Sequence, residues 1–365
     1  MSSTMGRLQA LFKGSSKTNN LIKRVRKFKK ASEYDLFRKS NQAKYETMVT
    51  RLAAAQRFSD IEDILEHQKK YQDIRKEGFA CRLIALYGKA GMFGHAQKLF
   101  DEMPQLNCQR TVKSFNALLS ACTNTKKPDK VTEIFTEIPK KLSIKPDNIS
   151  YNIVIKALCE VGSFDSALSV VDEMEKNGLK PNTVTFNTLL DALYRNDKFS
   201  DAEKLWGLME NKDVVPNVRS YNPKLRALVA DNRISEAVDV IEEMRSKGIM
   251  PDVFSFNALI KGFHDSGNME QAKRWFTKMT ENGCTPDSAT LSMLGYLACD
   301  KGDFEYALEV CKEAIRLRRL VNPKMLQLVV DGLVKESKKE VAMELVTLGK
   351  SNDHFQYKLK IPSDV

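Results

Sequence analysis

The chain is predicted to be all-α, a superhelical solenoid of about nine helical hairpins stacked in chain order. Three observations predict it. A seven-residue phrase, Pro146-Asp147-Asn148-Ile149-Ser150-Tyr151-Asn152, returns every 35 residues: at Pro181–Asn187, Pro216–Asn222 and Pro251–Asn257, and more loosely from Pro286, where Leu291 and Ser292 replace the aromatic and the Asn. Ala167, Ala202, Ala237, Ala272, Ala307 and Ala342 keep the same interval, and Ala96 joins them after a one-residue insertion. Met174, Met209, Met244 and Met279 form a second comb, with Met103 under the same offset. Self-similarity at a fixed period is the signature of a stacked repeat array.

The N-terminal segment, residues 1–41, opens with nine basic residues and no acid before Glu33, so of the net charge of +11 only +2 is left for the other 333 residues. Rich in Ser and poor in acids, the segment reads as an organelle import signal, as an arm that binds RNA or a partner, or as a solvated tail. Removing residues 1–32 is expected to weaken phosphate binding uniformly and to flatten its salt dependence. The nearly neutral remainder can present a basic groove only by keeping its acids on another face.

The repeats follow as 42–76, 77–111, 112–147 (one residue long), 148–182, 183–217, 218–252, 253–287, 288–322 and a partial unit 323–350, before a polar C-terminal tail, 351–365. Residues 183–217 show the logic. Val184, Phe186, Leu189, Leu190, Ala192 and Leu193 lie on one helical face. Asn196-Asp197-Lys198 interrupts the pattern, and Ser200 with Glu203 suggests a capping box opening a second helix. That helix aligns Ala202, Leu205, Trp206 and Met209 on one side. Asp213 stands where sister repeats carry Gly178, Gly248 or Gly283, a position for left-handed backbone ending a helix. The small Ala lets two helices approach closely, and the Met fills the contact with the next hairpin. The outer repeats drift from the phrase, as capping units do.

Composition excludes several function classes. No segment has the run of apolar residues that a membrane helix needs. The seven cysteines (Cys81, Cys108, Cys122, Cys159, Cys284, Cys299, Cys311) include no C-x-x-C pair, and His67, His95, His264 and His354 are scattered. They read as reduced thiols packed in helices, not as disulfides or zinc ligands. No His-x-Glu deaminase element, phosphate loop, triad or metal constellation is present, so no catalytic residue, cofactor, metal or small-molecule substrate is expected.

The phrase Pro-(Asp/Asn)-x-x-(Ser/Thr)-(Tyr/Phe)-Asn, with Tyr87-Gly88-Lys89-Ala90-Gly91 and Phe100-Asp101-Glu102-Met103, resembles the pentatricopeptide repeat (PPR) family of the P class. The resemblance spans residues 42–350. Segments 57–62 (RFSDIE), 83–93 (LIALYGKAGMF) and 111–122 (TVKSFNALLSAC) further resemble short P-class proteins that associate with the ribosome in plant mitochondria. It implies a right-handed superhelix whose first helices line a concave, single-stranded-RNA-binding face, one base per repeat. It also implies reading pairs: Asn116 with Asp147, Asn152 with Asn182, Asn187 with Asn217, Asn222 with Asp252, Asn257 with Asp287, and Ser292 with Asn322. The family's code then reads U-C-C-U-U-A, 5′ to 3′. Base-clamping positions fall at Lys113, Ile149, Val184, Arg219, Phe254 and Ala289, of which Lys113, Arg219 and Ala289 depart from the family's usual Val or Ile.

An amide both donates and accepts, which suits the Watson–Crick edge of a pyrimidine. The competing expectation is that these Asn residues cap helices. Pro223 is expected to bias Asn222 away from helical angles. Glu46 with Lys76 and Cys81 with Thr111 match no reading pair. The expected role is a non-catalytic, ribosome-associated component (small subunit favoured) holding ribosomal RNA beside ribosomal protein neighbours. The resemblance implies a mitochondrial location, with the chloroplast as alternative. The rival readings are a factor acting on one messenger RNA and a peptide-binding scaffold of the tetratricopeptide kind.

Overall fold

The computed structural model describes residues 21–40, 42–124, 127–351 and 357–362. Among them there is no strand. The chain divides into two compact units, Met1–Leu189 and Leu190–Val365.

The first unit begins with α1 (residues 21–31) and α2 (Asp35–Ser40), followed by α3 (Gln42–Ala54), α4 (Phe58–Gln68) and a 3-10 turn, Gln72–Arg75. Three hairpins come next: α5 (Glu77–Lys89) with α6 (Phe93–Glu102), α7 (Val112–Thr123) with α8 (Pro128–Leu142), and α9 (Asn148–Glu160) with α10 (Phe164–Lys176). The unit boundary falls inside α11 (Thr183–Arg195). The second unit continues with α12 (Phe199–Asn211), α13 (Val218–Ala230), α14 (Ile234–Ser246), α15 (Val253–Asp265), α16 (Met269–Glu281), α17 (Ser288–Asp300), α18 (Phe304–Arg316), α19 (Pro323–Lys335) and α20 (Lys339–Ser351).

Both combs are core. Ala96, Ala167, Ala202, Ala237, Ala272, Ala307 and Ala342 are fully buried, as are Met103, Met174, Met209, Met244 and Met279. So are the aromatic positions of the phrase, Phe115, Tyr151, Phe186, Tyr221 and Phe256. Second helices end as expected in left-handed backbone, at Gly178, Gly248, Gly283 and, without glycine, Asp213. The Gly178 N–H then bonds the Glu175 carbonyl and the Leu179 N–H that of Met174, satisfying carbonyls the helix leaves open.

Two local expectations fail. Helix α12 starts at Phe199 behind Lys198, which makes no side-chain cap, so Ser200 is not its cap. Glu203 is drawn elsewhere: it accepts from the Tyr194 hydroxyl at 2.5 Å and from Lys224 at 2.8 Å. Helix α13 runs straight through Pro223, so Asn222 keeps helical backbone. The helix forgoes one backbone bond there, while Pro223 and the neighbouring Tyr221 and Leu225 are buried on its core face.

Both termini of the described chain are folded against the array. Helix α1 carries six basic residues yet buries Val25 and Phe28. Phe28 packs edge-on against Phe37 and Tyr45, with ring centroids 5.3 and 4.7 Å away. The Tyr45 hydroxyl donates to Gln68 Oε1 (3.0 Å), and Gln68 Nε2 donates to the buried Ser32 hydroxyl (3.1 Å). Arg38, also buried, donates to Asp73 at 2.8 Å and to the carbonyls of Ser32 and Glu33, and stacks over Tyr71. Residues 21–40 are thus a cap on the first repeat; residues 1–20, the rest of the import-signal or arm reading, lie outside the described residues. At the other end Tyr357 and Leu359 are buried. The Tyr357 hydroxyl accepts from the Val321 N–H (3.2 Å), its N–H donates to the Gly349 carbonyl (3.0 Å), and Gln327 bonds both the N–H and the carbonyl of Lys360.

Two predictions follow from this packing. A Cβ on Gly88 would sit 2.5 Å from the Ala121 backbone of α7. Gly88→Ala should therefore lose ~1–3 kcal/mol by overpacking, despite alanine's better helix propensity, read as a lower Tm. Deleting residues 1–32 should strip Phe28 and Ser32 from Tyr45 and Gln68 and lower the Tm as well; an unchanged melt would mean that α1 is dispensable.

Candidate nucleic-acid interface

Each first helix must satisfy N–H groups that have no intrahelical partner, and from α7 onward the residue that does so is the last of the preceding repeat. Thr111, Asp147, Asn182, Asn217, Asp252, Asp287 and Asn322 all accept bonds from backbone N–H groups of the first turn. At six of these junctions, Asn322 excepted, the third helical residue is a fully buried Ser or Thr: Ser114, Ser150, Thr185, Ser220, Ser255 or Thr290. Its hydroxyl oxygen accepts from the N–H of the cap in return, at 3.0–3.2 Å. These are reciprocal capping boxes, worth ~1 kcal/mol each.

The residues expected to read bases sit one turn further in. Asn116, Asn152, Asn187, Asn222, Asn257 and Ser292 are each the fifth residue of their helix, so none of them is its cap. Capping belongs to the other member of each pair. Three amides are held at both ends. Asn116 Nδ2 donates to Asp147 Oδ1 (3.0 Å) while its Oδ1 accepts from the Ser150 hydroxyl (2.6 Å). Asn222 bonds Asp252 (3.2 Å) and Ser255 (2.7 Å), and Asn257 bonds Asp287 (3.2 Å) and Thr290 (2.6 Å). Each such amide keeps one N–H and one oxygen lone pair for another partner.

The remaining pairs differ. Asn152 accepts from the Thr185 hydroxyl at 2.8 Å, but no bond joins it to Asn182, whose Oδ1 is taken by the N–H groups of Val184 and Thr185. Asn187 and Asn217 belong to different units. The Ser292 hydroxyl donates to the Ser288 carbonyl within its own helix, and Asn322 caps α19, where the third residue is the apolar Met325. The structure therefore connects three pairs directly, one through a shared hydroxyl, and leaves Ser292 and Asn322 unjoined.

One turn before the reading positions lie the expected clamp residues. Ile149, Val184 and Phe254 are 59–70 % exposed, unusual for large apolar side chains. Lys113, Arg219 and Ala289 are exposed at the same position. Spacing of three residues puts each on the same helix face as its Asn.

Repeat 77–111 is built differently. Burial pushes the Cys81 thiol, at the reading position, up to about 12, so it stays neutral. The junction is closed instead by Glu77, which accepts from the Thr111 N–H and hydroxyl (both 2.8 Å) and from the Ser114 N–H (3.2 Å). Burial raises the Glu77 carboxyl, but these bonds outweigh it and hold the group below its ordinary value. Glu46 pairs with Lys89, and Lys76 makes no side-chain cap.

Burial likewise pushes up the Asp147 and Asp287 carboxyls, and the bonds from Asn116 and Ser150, or Asn257 and Thr290, overcome it; both sit below the ordinary 3.8. A depressed folded value means the native state binds protons less readily than the unfolded chain. The stabilisation is complete above 3.8 and is lost as pH falls through the lower folded values. Urea unfolding between pH 2 and 7 should show this loss in the parent and a shallower one in D147N/D287N.

Among the described residues no helix is long and apolar enough to cross a membrane, and no group of His, Cys, Asp and Glu could hold a metal ion. The profile of the PPR repeat family matches residues 110–160, 146–195, 181–229, 216–265 and 251–299, and that of the single PPR repeat matches 81–108. The chain is 58 % identical over 154 residues to small ribosomal subunit protein mS78 (rPPR3a) of Arabidopsis thaliana. It is also 58 % identical over 152 residues to mS79 (rPPR3b) of the same plant. Each match covers 42 % of this chain and 38 % of the relative's length. In fold it is similar to the crystal structure of the pentatricopeptide repeat protein PPR10 from maize (TM-score 0.50, 18 % identity, 84 % of this chain and 53 % of that one). Hairpins at a constant period, the recurring capped junction and the family match across residues 110–299 lead to one conclusion: the chain belongs to the PPR repeat family.

Proposed function

We propose that the protein is a non-catalytic, single-stranded-RNA-binding component of mitochondria, associated with the small ribosomal subunit and holding ribosomal RNA. One observation carries the RNA-binding reading. In two repeats a half-buried amide with a spare donor and a spare acceptor stands a helical turn from an exposed apolar side chain, Asn152 with Ile149 and Asn257 with Phe254, and Val184 holds the same place before Asn187. The first group suits a base edge and the second a base face. A peptide ligand would not call for paired amide and Asp or Asn side chains at a constant phase. The pairs Asn116/Asp147, Asn152/Asn182, Asn187/Asn217, Asn222/Asp252, Asn257/Asp287 and Ser292/Asn322 read 5′-UCCUUA-3′ along the chain.

Stacking at ~1–3 kcal/mol per base gives so short a footprint a useful affinity, reduced by the ordering of a flexible RNA. It gives little uniqueness, which favours a role in which neighbouring proteins supply the remaining specificity. The similarity to two small-subunit ribosomal proteins supports that role. For mitochondrial import, the support is the composition of residues 1–20, with Arg7, Lys13, Lys17 and four Ser and no acid.

Two measurements test this. Asn182→Asp keeps a capping side chain while turning a C-type pair into a U-type one. The preference at the second base should move from C to U by about tenfold or more, the scale of a specific base contact, with the melt unchanged. No shift would reduce the amides to structural groups. In a gradient of mitochondrial lysate, the chain should sediment with the small subunit at moderate salt. Sedimentation only with free RNA or messenger RNA would favour a transcript-specific factor.

A further inference from the structure

Uracil presents an N3–H donor and an O4 acceptor where cytosine presents an N3 acceptor and an N4 donor. An Asn amide that could swap its two ends would suit either base and discriminate poorly, so something must fix which end is which.

In Asp-closed repeats two groups do so. Asn257 Nδ2 faces the Asp287 carboxylate and its Oδ1 faces the Thr290 hydroxyl. Turning the amide over would set its oxygen against a carboxylate oxygen, an acceptor against an acceptor. Asn116 and Asn222 are fixed in the same way by Asp147 and Ser150 and by Asp252 and Ser255. The repeat closed by Asn182 lacks the carboxylate. Asn182 spends its Oδ1 on the N–H groups of Val184 and Thr185, and the hydrogen bond that Asn152 receives comes from the Thr185 hydroxyl. That hydroxyl is itself directed, because its oxygen accepts from the Asn182 N–H at 3.2 Å, leaving its proton for Asn152 Oδ1 at 2.8 Å rather than Asn182 Oδ1 at 3.3 Å. Thr185 is fully buried and cannot itself touch a base.

We infer that the Thr185 hydroxyl is a specificity-setting positioning group: it fixes the orientation of the Asn152 amide and so how sharply that site tells C from U, while the closing Asn182 or Asp side chain sets which of the two is preferred. In Asp-closed repeats the equivalent hydroxyl is redundant with the carboxylate. The assignment rests on Asn152 and Asn257 reading bases.

The test compares Thr185→Val with Thr290→Val in the full chain, on 5′-UCCUUA-3′ oligonucleotides and on versions with C and U exchanged at the second or fifth base. Both variants lose the same capping hydroxyl, so both melts should fall alike, and a purely structural role predicts equal effects on binding. T185V should lower C-over-U discrimination at the second base by about threefold to tenfold, the scale of one neutral hydrogen bond, and leave the fifth base unaffected. T290V should keep its discrimination at the fifth base within about twofold on the same scale. Thr185→Ser should restore the parent behaviour. If T185V folds too poorly to measure, T185V/N182D supplies the missing carboxylate and should discriminate again, now for U; if it does not, the assignment is overturned. Unchanged discrimination in T185V, or equal losses in both variants, overturns it too. A parent chain with no base preference at either position overturns the reading itself, and the assignment with it.

Discussion

The junction between repeats is the constraint on which the rest depends. A helix that begins inside a stacked array has N–H groups that water cannot freely reach, and an uncapped start there would cost free energy at every repeat. The solution is the same from α7 to α17: a Thr, Asp or Asn accepts from the first turn and a buried Ser or Thr completes the box. Because the cap closes one repeat and opens the next, the side chain that stabilises the fold also stands beside the fifth residue of the preceding helix. Stability and the proposed base reading share atoms, with Asp147 Oδ1 accepting from both Ser150 N and Asn116 Nδ2.

With the atoms shared in this way, capping and the proposed reading do not compete. The Asn residues of the phrase are not caps, and the caps are not idle. The Asp147 and Asp287 carboxyls are held below their ordinary value by the same bonds that orient Asn116 and Asn257. Where the array closes a junction without a reading amide, it spends a different group: Glu77 reaches from the start of its own helix to Thr111 and Ser114. That repeat keeps the junction and presents the neutral Cys81 in place of an amide.

Much of the architecture was legible because a solenoid imposes the same local demands again and again. The Ala and Met combs, the buried aromatics and the glycine helix ends repeat at one interval, so a single chain serves as its own alignment. What stayed hidden was whatever occurs once or carries two jobs. The Ser or Thr of the phrase was visible, but its tie to Asn in the preceding repeat joins residues more than thirty positions apart. Ser200 with Glu203 mimicked a cap, though Tyr194 and Lys224 claim that carboxylate. Pro223 suggested non-helical angles at Asn222, but the buried face of α13 outweighs one missing bond. Among six basic residues of α1, Val25 and Phe28 were easily read as part of a charged tail.

The segment around Tyr357 and Leu359 bears on how such an array ends. The exposed face of a last hairpin has the shape its own next repeat would cover, and the first hairpin of another molecule could cover it just as well. Head-to-tail contacts of that kind do not close on themselves and lead to filaments. Tyr357, Leu359 and the Gln327 bonds to Lys360 occupy part of that face with the chain's own residues. With that part of the α19–α20 face already buried, less apolar surface is left on it for another hairpin to stack against.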